Sequence, residues 1–450
     1  MVGEEAREEV LEGAAPCRSI PVREQAPTLS LRRNFAWTFV GNVVFNGCQW
    51  LMMAVLAKLT APEVVGEFVL AMAVSAPIMG FLQLQLRDLQ ITDVANEYGF
   101  GHYLGLRLVT MFLGCAAAAC VGSALYSPHM TVLITLMAAN TAVTAVRDVF
   151  QSQMQKHERM DYISIAKMVT GGLSLMSFGA VMLATKSLPA AIAANIAVKV
   201  VMLFAYDKAK AAGLLDGPAD ASHRGLRPIF DPGRLFRLTV QAMPLGIVMG
   251  ILAVNANVPR YFLESSHGME ALGFFGAVAT LGQAIMLVNQ ALAQSAAPRL
   301  AKYYQHNLNA FTRLLVKLLV LGLILGLAGA LGAVLLGRPI LALAFRPEYA
   351  QYNTTLVITM AGCGLACMAS FLGYGITAAR HFKIQIPLSA TMLVVTTLAS
   401  WLLVGRYGVE GAAWAVLCGM AALLVALGWA VKRAVAIKAR QSDGMASQRR

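Results

Sequence analysis

The sequence predicts an all-α integral membrane protein with about twelve transmembrane helices, in two six-helix lobes around a central cavity and with both termini inside. Three observations carry this. The 450 residues are 58% hydrophobic and 13% charged, with a mean hydropathy of +0.64, whereas soluble domains carry about 25% charged residues. Apolar runs of about 20 residues, the length that crosses a bilayer core, recur along the chain. Lys and Arg gather in every second connection between those runs, as the positive-inside rule expects of cytoplasmic loops.

In chain order, residues 1–33 are rich in Glu, Arg, Ala and Pro and hold no apolar stretch, which reads as a disordered cytoplasmic tail rather than a cleavable signal. Apolar runs near 35–57, 64–86, 103–125, 130–149, 162–184 and 188–206 form an N-terminal lobe over 34–206. The longest polar connection, 207–235, contains Asp207, Lys208, Lys210, Gly217, Pro218, Arg224, Pro228 and Pro232 and reads as a cytoplasmic inter-lobe linker. Runs near 239–262, 272–295, 313–336, 353–378, 384–404 and 409–431 form a C-terminal lobe over 236–432, and 433–450 is a basic cytoplasmic tail. Helix is the only consistent assignment, because open sheets leave backbone groups unpaired in lipid.

Charge tests this count. With the N-terminus inside, 29 of the 36 Lys and Arg fall in or beside inside segments and six in outside connections, leaving Lys199 within a span. A missed or extra span would scramble that alternation. Six spans before the linker bring both halves into the membrane from the same side, the arrangement of parallel repeats. A weak repeat agrees with it: Gly66-Glu67-Phe68 opens the second span and Gly273-Phe274-Phe275 opens the eighth.

Several chemistries are disfavoured. The net charge of +13 is spread between apolar runs rather than gathered on a nucleic-acid-binding surface. Six of the seven cysteines lie in apolar stretches without metal spacing, and Cys363 and Cys367 at i, i+4 read as packing. There is no Walker A loop, no His-Glu-x-x-His and no Cys-x-x-Cys, so neither ATP hydrolysis, metal catalysis nor a cofactor is expected.

Four segments carry a family resemblance over roughly residues 30–432. Leu31-Arg32-Arg33-Asn34-Phe35 leads into a span closing with Leu56-Ala57-Lys58-Leu59-Thr60-Ala61-Pro62-Glu63, then Gly66 and Phe68. Ala242-Met243-Pro244-Leu245-Gly246 lies in the seventh span, Ala297-Pro298-Arg299-Leu300-Ala301-Lys302 closes the eighth, and Arg406-Tyr407-Gly408-Val409-Glu410-Gly411 turns into the last. In this order they resemble the Wzx-type polysaccharide flippases of the multidrug, oligosaccharidyl-lipid and polysaccharide exporter superfamily. The resemblance implies a transporter without covalent chemistry that flips a polyprenyl-diphosphate-linked oligosaccharide across the cell inner membrane. It also implies membrane lipids, a polysaccharide polymerase and chain-length machinery as candidate partners. One departure is Pro259, which stands before Arg260 where the family pattern has Asp, so an ion-pair role for Arg260 is not carried over.

A flippase needs a polar path. Asn42, Asn46 and Gln49 stack on one face of the first span, and Gln283, Gln290 and Gln294 form a comparable stripe in the eighth. Such amides either line a watery cavity and hold sugar hydroxyls or bond neighbouring helices, at about 1 kcal/mol each. Lys199, with Asn195 one turn before it, either draws the diphosphate of the carrier or snorkels to the cytoplasmic headgroups. Arg87 and Asp88, like Arg147 and Asp148, are adjacent opposite charges at span ends. They read as solvated interfacial pairs or, for Arg87, as a guard of the cavity mouth.

No Asp or Glu falls in the middle of a predicted span. This weighs against the alternative in the same superfamily, a multidrug exporter, which uses a buried acid for cationic substrates. A membrane glycosyltransferase or polymerase would need clustered carboxylates or a long outside loop.

Overall fold

The computed structural model describes residues 31–93, 97–214, 226–378 and 385–448. Among them there is no strand. Helix α1 (Leu31–Leu59) is followed by α2 (Pro62–Leu82), a short helix Leu86–Thr92, α3 (Phe100–Leu125), α4 (Pro128–Lys156), α5 (Met160–Thr185) and α6 (Leu188–Met202). A π-helical turn, Leu203–Asp207, carries α6 on into Lys208–Ala212.

Beyond 226 the helices run longer than the predicted spans, and glycine divides them. Pro232–Leu281 contains Gly268 at φ 81° and Gln385–Gln448 contains Gly408 at φ 54°. Without a Cβ, glycine tolerates this left-handed side of conformational space, so each position bends a continuous rod. Both fall at predicted outside turns, and a Cβ on Gly408 would meet the His267 ring at 3.3 Å, so the two bends pack together. Divided there, the helices are α7 (232–267), α8 (269–306, interrupted at Gly282), α9 (Leu308–Ala344), α10 (Asn353–Ala378), α11 (385–407) and α12 (409–448).

Local sequence sets the ends. Pro62, Pro128 and Pro232 open their helices where a missing N–H costs nothing. The Ser127, Asp231 and Asn307 side chains accept from the first-turn amides of α4, α7 and α9. The expected basic tail is helical to Gln448, beginning with Arg433 5.3 Å over the Trp429 ring.

Ten helices are long and apolar enough to cross a membrane, counting Pro232–Gln290 and Pro387–Lys438 as one each. Large apolar side chains point outward on many of them, among them Phe112, Met176, Leu183, Leu335, Leu343 and Val425. Water would not tolerate so broad an apolar surface, whereas lipid does. The helices before 213 pack as neighbours, α1 on α5, α4 on α2, α3 and α6, and α5 on α6. Those after 231 do likewise, α10 on α8 and α9, with the Pro232–Leu281 helix on the Gln385–Gln448 helix. The principal contact between the two sets is α2 against Pro232–Leu281, where Leu70, Val74, Leu272, Phe274 and Ala277 share one buried cluster.

Candidate functional site

A cavity of about 700 Å³ opens where α1, α8, α10, α11 and α12 face one another. Its polar lining is neutral: Asn46 from α1, Gln283, Asn289 and Gln290 from α8, and Ser370 and Ser389 from α10 and α11. Met286, Leu287, Met392, Met420 and Leu423 supply apolar wall between them. Asn289 is 3% exposed, and its Oδ1 finds no hydrogen-bond partner among the described residues. An amide oxygen left so in a low-dielectric wall is costly unless a ligand or water completes it.

Of the residues singled out from the sequence, Asn46, Gln283 and Gln290 meet in this cavity. The stripe spacing brings the two glutamines to one face of α8, as periodicity requires. Gln49 is half-buried and outside the lining, and the Gln294 side chain lies outside the described residues. Asn289 was missed because it lies beside Gln290, off that stripe. Its only signal is that it is one more amide in an apolar run.

Below Asn46, toward the linker end, a charged cluster begins. Asn46 Nδ2 donates to the Asn42 carbonyl at 2.7 Å, and Lys167 Nζ on α5 donates to Asn42 Oδ1 at 2.8 Å. Lys167 lies within electrostatic reach of Arg87 and Asp148. Arg87, opening the short helix after α2, forks between Asp148 Oδ1 and Gln155 Oε1, each at 2.9 Å. Asn42 thus links the neutral cavity to the cations through one turn of α1.

The adjacent charges do not pair as read from the sequence. Neighbours on a helix point about 100° apart, so they cannot share a partner face. Asp148 takes Arg87, while Arg147 Nε donates to Asp207 and its terminal nitrogen to Thr170 Oγ1 at 2.9 Å. Asp207 is fully buried and Arg147 is 5% exposed. The π turn that ends at Asp207 is the kind of irregularity that re-aims one side chain within a helix.

Lys199 does not snorkel. It is 6% exposed and donates to Thr144 Oγ1 at 3.0 Å, between α4 and α6. Asn195 serves packing: its Oδ1 accepts from Ser174 at 3.0 Å, and its Nδ2 faces Met52 Sδ at 3.7 Å. Neither lines the cavity. Arg107, read as an interfacial anchor, is 2% exposed and donates to the Gln83 carbonyl at 2.7 Å, at the left-handed turn Leu84-Gln85 after α2. Arg260 donates to Asn257 Oδ1 at 2.8 Å, a neutral partner, as Pro259 in place of Asp leads one to expect.

The arrangement can hold a polar ligand. It offers neutral hydrogen bonds for hydroxyl-rich groups and, one helical turn away, cations for an anionic group. Among the described residues there is no group of three or more His, Cys, Asp or Glu that could hold a metal.

No family model matches the chain. The capsular polysaccharide biosynthesis protein CapF of Staphylococcus aureus is 23% identical over 407 residues, spanning 89% of this chain and 99% of that protein. The lipid II flippase MurJ, in an inward closed conformation, superposes with a TM-score of 0.70 at 11% identity over 91% of both chains. A mutant of the Vibrio cholerae MATE transporter VcmN gives 0.61 at 15% identity, over 91% of this chain and 96% of that one. The fold is that of these flippase and MATE transporter structures, the fold that the sequence resemblance implied.

Proposed function

We propose that this multi-pass protein of the cell inner membrane carries a polyprenyl-diphosphate-linked oligosaccharide from the cytoplasmic to the outer face, for surface or exopolysaccharide synthesis. In this reading twelve spans form two lobes, 34–206 and 236–432, joined by the linker 207–235, with both termini in the cytoplasm. The lobes rock to open the cavity to either side.

The observation that carries it is the cavity's composition. Asn46, Gln283, Asn289 and Gln290 offer amides to sugar hydroxyls. Lys167, at Asn42 one turn below, begins a cluster that also holds Arg87, to which a diphosphate would be drawn. The lipid tail stays in the bilayer, so the protein need solvate only the head.

The relatives favour the same class, one acting in capsular polysaccharide biosynthesis and one a lipid II flippase. A cationic-drug exporter of this fold fits less well, because Asp148 and Asp207, the acids within the cluster, are both engaged by arginine.

The test is mass-spectrometric quantification of polyprenyl-diphosphate-linked oligosaccharides in cells with and without the gene, alongside surface polysaccharide. Accumulation of the complete lipid-linked unit with loss of surface polymer supports the proposal. Unchanged pools of both overturn it and direct attention to drug accumulation.

A further inference from the structure

The helices before 213 hold five cations close together, Arg87, Arg107, Arg147, Lys167 and Lys199, against two carboxylates, Asp148 and Asp207. Asp207 is committed to Arg147 in a fully buried pair. The other four share one acid. Arg87 bonds Asp148 at 2.9 Å, and Arg107, Lys167 and Lys199 lie within its electrostatic reach.

Those three cations end on neutral oxygens, the Gln83 carbonyl, Asn42 Oδ1 and Thr144 Oγ1. A neutral acceptor satisfies the N–H but leaves the charge uncompensated, and at low dielectric that field is strong. One carboxylate therefore stands where the fields of four cations converge. Asp148 is also reachable, since its side chain is 31% exposed and that of Arg87 26%.

We propose that Asp148 is a resident counter-anion, holding beside Arg87 the place that a phosphate-bearing ligand takes on binding. Arg87 then exchanges the carboxylate for a phosphate oxygen through Nη1. Its Nη2 stays on Gln155 Oε1, which keeps the guanidinium in position. The exchange favours phosphates because each carries at least one full negative charge and several acceptor oxygens, suited to an arginine fork and two amines at once. A neutral solute gains too little to displace the resident acid, so Asp148 contributes selectivity by competition. The anion chemistry stands on these contacts, and only the identity of the natural ligand rests on the flippase reading.

The experiment is calorimetric titration of the purified full-length protein in lipid nanodiscs with inorganic pyrophosphate and, separately, with short-chain phosphatidylglycerol. Asp148→Asn is expected to bind pyrophosphate about tenfold more tightly than wild type, the effect of removing one competing charge from a partly exposed site. Asp161→Asn changes net charge equally but disrupts a pair with Arg159 outside the cluster, and is expected to bind as wild type does.

A second comparison covers a poorly folding single variant. Arg87→Gln with Asp148→Asn removes the ion pair as a unit and is expected to bind more tightly than Arg87→Gln alone. Stronger binding of pyrophosphate than of the phospholipid assigns the site to a diphosphate, and the reverse order assigns it to a lipid headgroup. The inference is overturned if loss of Asp148 tightens neither ligand in either background, or if Asp161→Asn tightens binding equally. Either result leaves the cellular test of the flippase reading untouched.

Discussion

Gly66 and Gly273 make the same contact on each other's helices. A Cβ on Gly66 would overlap the Met269 carbonyl oxygen, and a Cβ on Gly273 would overlap the Pro62 carbonyl oxygen. Pro62 and Met269 each precede their own glycine by four residues. Further along, Gly276 packs on Val69, and these two are separated by the same 207 positions as the glycines. A contact that maps onto itself under exchange of partners is isologous, as at a two-fold interface. The weak Gly-x-Phe repeat in the sequence is its trace.

Replacing either glycine by valine is expected to drive backbone from backbone and to cost at least about 2 kcal/mol, at the upper side of ordinary overpacking. Gly47→Ala, where nothing lies within 4 Å of the added carbon, is expected to be neutral. Thermal unfolding in nanodiscs checks both. A Gly66→Val protein as stable as wild type would mean that this contact is not tight in the membrane.

Gln283→Ala with Gln290→Ala is expected to lower surface glycan output several-fold while leaving stability unchanged, since both side chains are exposed to the cavity. Each lost hydrogen bond to ligand is worth about 1 kcal/mol. Full export by the double variant at normal expression would remove the amides from the path.

Asp207→Asn is expected to destabilise the protein by about 3–5 kcal/mol, because it strands the Arg147 guanidinium in a site with almost no water. Arg147→Met combined with Asp207→Leu, which removes both charges, is expected to recover most of that loss. If the double variant unfolds as readily as Asp207→Asn, the penalty does not come from an unpaired charge.

Lys199→Ala, expressed at normal level, is expected to reduce glycan output through loss of its field on the cluster, while Lys199→Arg retains part of it. Wild-type output from Lys199→Ala would leave this lysine a packing element of α4 and α6.

The helices were legible because lipid demands apolar runs of about fixed length, but their limits were not, because polar turns of helix run on past the apolar stretch, as at 232–238 and 432–448. The α8 stripe was legible in part: a 3.6-residue period puts Gln283 and Gln290 on one face whatever surrounds them. What the period cannot say is which face meets a cavity. Asn46 reached it, whereas Gln49, on the same face of α1, did not.

The sequence by itself therefore determined solvent, secondary structure and the concentration of positive charge at alternate helix ends, since each follows from local composition. The tertiary structure decided which charges are partners. Asp148 and Arg147 are adjacent in the chain yet turn to Arg87 and Asp207, each about 60 residues away. A helix aims successive side chains in different directions, so only the packing of α4 between the start of the short helix and the end of α6 could settle where each would go.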